Sequence, residues 1–155
     1  MWDEIDLVNN SSVRVTLTDF HESGDSLFFS DDSLFFTLRV RAPQDDVAVQ
    51  AESDGVEVEV EHRSPGPVSP GTLELGIRFA DGRLGDNLYS NGTFTSDDGV
   101  LLAVTGGGGE YGAGRGLVFD VNWELCPTPP AGPTTWWCVW PIFDVVRTET
   151  VRCYP

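Results

Sequence analysis

The chain has 155 residues, a formal charge of −16 and a pI near 4.1, long enough for one domain with a real core and short for two. Its nine basic residues are all Arg, as high-GC coding favours, and so acidic a balance disfavours nucleic acid and anionic lipid, both of which are held by clustered cations. An apolar share of 40% argues against disorder. The start, Met1 to Asp6, lacks the basic segment and apolar run of a secretory signal, and no stretch approaches the roughly 18 apolar residues of a membrane span. A cytoplasmic protein with no membrane contact is the expectation.

Side chains on a strand alternate between two faces, so apolar residues at every second position mark strands with one buried face. Val13, Val15 and Leu17 alternate with Arg14, Thr16 and Thr18, which predicts a strand over 13–20. Leu34, Phe36, Leu38 and Val40 repeat the pattern over 34–41. Strands are also expected over 46–51, 56–62 and 72–79, the second of these setting Val56, Val58 and Val60 against Glu57, Glu59 and Glu61. Further strands are expected over 100–104, 117–125, 134–140 and 145–152. Asp54-Gly55, Asp81-Gly82, Asn91-Gly92 and Asp98-Gly99 supply turn dipeptides between runs. No segment sustains helical spacing with caps, and ten prolines oppose long helices. The pattern predicts an all-β protein: a single antiparallel β-sandwich over 1–155, Ig-like or jelly-roll-like, of about eight or nine strands.

Chemistry-bearing patterns are sparse. Gly107, Gly109 and Gly112 fit G-x-G-x-x-G, but the alternating run that starts at Leu117 reads as a strand where a dinucleotide site needs a helix N-terminus. The stretch from Thr105 to Gly116, with Tyr111 and Arg115 near its end, therefore reads as a mobile loop that orders against a partner. His21 and His62 are the only histidines, outside any H-E-x-x-H arrangement, and G-x-S-x-G is absent. Asp31-Asp32, Asp45-Asp46 and Asp97-Asp98 fall in expected turns without EF-hand ligand order. No metal, cofactor or catalytic residue is assigned. Glu57, Glu59 and Glu61 would put three like charges on one strand face, which guards an edge against unwanted pairing or meets a basic partner.

Near the end, Cys126 and Cys138 are equidistant from Gly132 in "CPTPPAGPTTWWC". If 129–133 were a hairpin tip, the two cysteines would face each other at roughly 4.5 to 5.5 Å between Cα atoms, close enough for a disulfide. In that register Leu125 pairs with Val139 and Trp136 and Trp140 are exposed, whereas a slip of one residue makes them core. An exposed pair would serve protein association or, as a rival use, stack on sugar rings.

Phe79-Ala-Asp-Gly-Arg83, the run Gly106 to Gly109, and Pro129-Pro130-x-Gly132-Pro133 leading to Cys138-x-Trp140-Pro141 together resemble a family of short actinobacterial proteins with no established activity. The resemblance covers the C-terminal half, departs from the family pattern at Cys126, and implies no catalytic residue. The residues together predict a non-enzymatic protein-binding or assembly module, a subunit of a larger multi-protein or virion-like assembly, with a protein partner or a second copy as its ligand. Its contact candidates are Trp136, Trp140, Tyr111, Arg115, Glu57, Glu59 and Glu61. A carbohydrate-binding module is the alternative, and a hydrolase with dispersed carboxylates the third reading.

Overall fold

The alternating runs become two sheets in the computed structural model, which describes residues 2–24, 32–43, 46–60, 69–88, 95–110 and 116–155. The elements are β1 (Glu4–Asn9), β2 (Arg14–Ser23), β3 (Ser33–Ala42), α1 (Asp46–Ser53), β4 (Glu74–Arg78), β5 (Leu84–Asp86), β6 (Leu101–Glu110), β7 (Leu117–Cys126), β8 (Gly132–Trp140), a 3₁₀ turn (Pro141–Phe143) and β9 (Val145–Tyr154). One sheet runs β1-β2-β3-β7-β6 and the other β5-β4-β8-β9, with every neighbouring pair antiparallel. Nine strands in two antiparallel sheets with one short helix make a β-sandwich, as the alternation predicts.

Its core is built from the inward set of each strand. Leu117, Val121, Trp123 and Leu125 of β7 are buried, as are Leu34, Phe36, Leu38 and Val40 of β3. Across the interior, Trp136 meets Phe36 edge-on at 5.5 Å between ring centroids and Trp2 at 5.8 Å. Trp2 also contacts Phe20 and Tyr154, so aromatic rings from both sheets tie the chain's start to its end. Such pairs add about 0.5–1.5 kcal/mol each beyond the area they bury.

Four local expectations are corrected. Residues 46–51 lie in α1 rather than a strand: Ala48 and Ala51, three apart, are its buried residues, and Asp46 sits in the first turn, where a carboxylate favours a helix. The stretch 56–60 forms only an isolated parallel bridge, Glu59 to Thr72, and no strand, while Glu61 and His62 lie outside the described residues. The glycines Gly106–Gly109 are not a loop; they continue β6 against β7, from Gly106 opposite Asn122 to Gly109 opposite Phe119.

The fourth correction concerns the proposed hairpin. Leu125 pairs with Leu34 and Leu102, and Val139 pairs with Glu74, so β7 and β8 belong to different sheets. Pro127, Pro129 and Pro130 lack the N–H a ladder needs, and β7 stops before them. The connection crosses between layers instead of folding back on itself. Cys126 and Cys138 therefore do not oppose each other, and none of the three cysteines is in a disulfide.

Candidate functional site

The arrangement nearest to a catalytic pair is Ser33 with Glu124. The Ser33 hydroxyl donates to Glu124 Oε1 at 2.6 Å, yet both residues are wholly buried, so no substrate reaches the hydroxyl. It ties neighbouring strands, Phe35 of β3 standing opposite Glu124 of β7. The two buried thiols offer no better nucleophile. Burial, with the Glu74 charge adding to it, pushes the Cys138 thiol up to about 12, so it stays protonated and inert at neutral pH. Cys126 is buried with Leu101 and Ala103, and Cys153 is exposed on β9.

A cavity of about 240 Å³ is lined by Glu22, Ser23, Gly24, Asp32 and Thr128. Its two carboxylates are the nearest match to the dispersed-acid expectation. Glu22 is already engaged, because the Tyr154 hydroxyl donates to its Oε1. Burial and that carboxylate raise the phenol's pKa, which keeps Tyr154 a donor and Glu22 its acceptor. No group of three or more His, Cys, Asp or Glu among the described residues is placed to hold a metal ion.

The sequence-derived contact residues are scattered. Trp136 and Trp140 are both fully buried, so neither offers a platform for a sugar ring or a partner. Trp140 donates its indole N–H to Gly71 O at 2.9 Å and stacks edge-on against Phe143. Glu57 is exposed, whereas Glu59 is half-buried and accepts a bond from the Thr72 hydroxyl at 2.5 Å. Tyr111, Arg115 and Glu61 lie outside the described residues.

What the fold does leave open is the long edge strand β9, last in the order β5-β4-β8-β9. Its sequence, VVRTETVRCY, is rich in β-branched residues and has no Pro or Lys, although it carries Arg147, Glu149 and Arg152 and a bulge between the pairs Cys138–Thr148 and Trp140–Val145. Val146 and Val151 are 83% and 57% exposed, the largest values among the described apolar side chains. On the neighbouring surface Trp137 lies flat over Gly76, where a Cβ would come within 2.0 Å of the ring, and the Arg147 guanidinium covers it at 4.9 Å. Arg147 also pairs with Glu149 at 3.2 Å.

The direction of the β9 backbone follows from two of its contacts. Pro133, opposite Cys153, has no N–H to give, and Cys153 O turns away from β8 to accept from Trp2 Nε1 at 3.0 Å. Antiparallel ladders alternate bonded and non-bonded pairs, so Glu149 and Val151, at the same parity as Cys153, direct their N–H and C=O groups to the open side. The Val151 carbonyl is met there by the exposed Arg152 side chain at 2.9 Å. The alternation locates this strand in the sequence but not its place at the sheet edge. The available signal was a run of β-branched residues whose alternate positions include Val as well as charge.

The fold and this edge define the chain as an antiparallel β-sandwich with a long outer strand, two of whose open-side carbonyls are met by Trp2 and Arg152. No family model, curated protein or solved structure matches it, and so the resemblance to short actinobacterial proteins gains no support beyond the residues that carry it. No helix among the described residues is long and apolar enough to cross a membrane.

Proposed function

We propose that this protein is a non-enzymatic association module in which β9 accepts an added strand, supplied by a second copy of the chain. The carrying observation is the ten-residue β9 edge with Val146 and Val151 exposed along it. Strand addition draws affinity from main-chain hydrogen bonds and specificity from alternate side chains. Charge favours β9 for this role: Arg147, Glu149 and Arg152 nearly cancel within it, while the chain as a whole carries −16. Two copies can meet there with less repulsion than elsewhere, and added salt strengthens the contact by screening what remains.

The test is the mass of the species in solution, by analytical ultracentrifugation over a concentration series, for the natural chain and for Val151→Pro. Proline removes the outward N–H and leaves the β8–β9 ladder intact, because Val151 and Thr135 form a non-bonded pair. The natural chain is expected to associate and the variant to remain monomeric with an unchanged circular dichroism spectrum. A natural chain that stays monomeric up to millimolar concentration, or a variant that associates equally well, overturns the proposal.

A further inference from the structure

On another part of the molecule, α1 borders a groove whose charge nothing in the described fold answers. The groove is shallow and open to solvent, with a volume of about 520 Å³, walled by Val47, Ala51, Val56 and Ile142 and rimmed by Asp46 and Asp54. Helical spacing explains the layout. Asp46, Gln50 and Asp54 follow one another at intervals of four, and Val47 and Ala51 form the parallel row beside them, so an acidic row runs along an apolar one.

Neither carboxylate has a cationic partner among the described residues. Asp54 only accepts from the Gln50 amide at 3.1 Å, and the sequence from Ala42 to Glu61 contains no Arg, Lys or His. The placement of Asp54 adds a second argument. It stands just past the C-terminal end of α1, whose last turn holds no basic residue, and a helix C-terminus favours a cation over a carboxylate. A positive group arriving beside Asp54 would answer both the side chain and the helix end.

We propose that this groove binds a protein segment that presents a Lys or Arg beside aliphatic side chains. The aliphatic groups lie against Val47, Ala51, Val56 and Ile142, and the cation reaches Asp54, with Asp46 as a second acceptor. The apolar wall distinguishes such a segment from a polyamine or a purely hydrophilic basic tail, which would leave Val47 and Ile142 in water. The site is independent of the β9 edge, and its salt response has the opposite sign: screening weakens it.

The probe is a fluorescein-labelled peptide of sequence Leu-Lys-Leu-Leu-Lys-Leu, titrated with the full chain by fluorescence anisotropy and mapped by amide chemical shifts. Matched controls replace Leu by Ser, or Lys by Glu, and spermine competes. The Leu/Lys peptide is expected to bind with shifts confined to residues 46–56 and Ile142. Asp46→Asn/Asp54→Asn should weaken it about tenfold by removing two rim charges. Val47→Ser should weaken it by a similar factor through lost apolar contact. Asp3→Asn, remote and exposed, and Val151→Pro on β9 should leave it unchanged. Equal binding of the Ser/Lys peptide, displacement by spermine at the same concentration, shifts spread over other acidic faces, or no effect of either groove variant overturns the proposal.

Discussion

Replacing Trp140 by Phe and, separately, Trp136 by Phe removes the same atoms from two sites that differ in one respect. Both side chains are fully buried. The Trp140 indole N–H has an acceptor, Gly71 O at 2.9 Å, whereas the Trp136 indole N–H has none among the described residues. Phe is smaller than Trp by about 40 Å³, and a residual cavity of that size costs about 1 kcal/mol at ~24 cal/mol per Å³. For Trp140→Phe the lost hydrogen bond adds about 1 kcal/mol. Gly71 O is not orphaned, since Glu59 N also donates to it at 3.0 Å, so no larger penalty follows. For Trp136→Phe the removal of an unsatisfied buried donor returns about 1–3 kcal/mol, which offsets the cavity. The first variant should thus lose about 2 kcal/mol and the second stay neutral or gain up to about 2. Urea unfolding at fixed pH reads this as a midpoint shift with unchanged slope, and melting temperatures should differ by roughly 4–16 °C between the two variants. Equal losses in both would refute the reasoning, for they would mean that the Trp136 N–H is satisfied inside the core.

Three other expectations follow from named contacts. Gly107→Ala should cost more than about 2 kcal/mol in urea unfolding, since strain at positive φ and a steric clash act together there; Gly107 has φ +92° and a Cβ would fall 2.4 Å from Asp120 O. Gly108→Ala, with nothing within 4 Å of the added methyl, should change the midpoint little. Of the three thiols, only Cys153 should react promptly with a chromogenic disulfide reagent in the folded protein, with Cys126 and Cys138 reacting after denaturation and no Cys126–Cys138 bridge appearing by mass spectrometry. Burial raises the Asp120 carboxyl, but hydrogen bonds and charge from Arg41 and Arg39 outweigh it and hold the pKa below 3.8. Its stabilising share is therefore complete above the unfolded value and lost as pH falls through the lower folded one, so the stability gap between the natural chain and Asp120→Asn should be constant near neutrality and close only in strong acid.

The sequence disclosed the strands whose inward residues are large and whose outward ones are polar, because burial selects for that contrast. Leu117 to Leu125 is the clearest case, and β7 spans it almost residue for residue. Where the contrast fails, so does the reading. In α1 the buried residues are Ala48 and Ala51, small enough to look neutral, while exposed Val47 and Val49 imitate alternation. In β6 the glycines carry no side chain to alternate, although their backbones pair as well as any. β1 hid a usable signal in Ile5 and Leu7 alternating with Glu4 and Asp6, but β5, three residues long, offers too few positions for a period to show. The largest departure, the placement of β7 and β8 in separate sheets, has one local sign in Pro127, Pro129 and Pro130, which lack a ladder N–H. Chain symmetry about Gly132 is otherwise compatible with a hairpin, and the competing partners Leu34, Leu102 and Glu74 decide against it.

The same limit explains why both candidate surfaces went unread. The Trp-rich stretch draws notice because large aromatics are rare, yet rarity is no guide to exposure: inside a two-layer sandwich a Trp fills the interlayer gap, as Trp123, Trp136 and Trp140 do. The two surfaces proposed for association are built from ordinary residues made unusual by topology. β9 is open because the order β5-β4-β8-β9 ends with it. The α1 groove is acidic because the described fold brings no Arg against Asp46 or Asp54, whereas Arg39 and Arg41 are spent on Asp120 and Arg14 on Glu4 and Asp6. A chain of −16 whose Arg14, Arg39 and Arg41 answer carboxylates on one sheet face has, on the proposed reading, a nearly neutral β9 edge to offer its own kind and an acidic groove, unanswered among the described residues, to offer a basic segment. Ionic strength then becomes the discriminating variable, since it must favour the first contact and oppose the second.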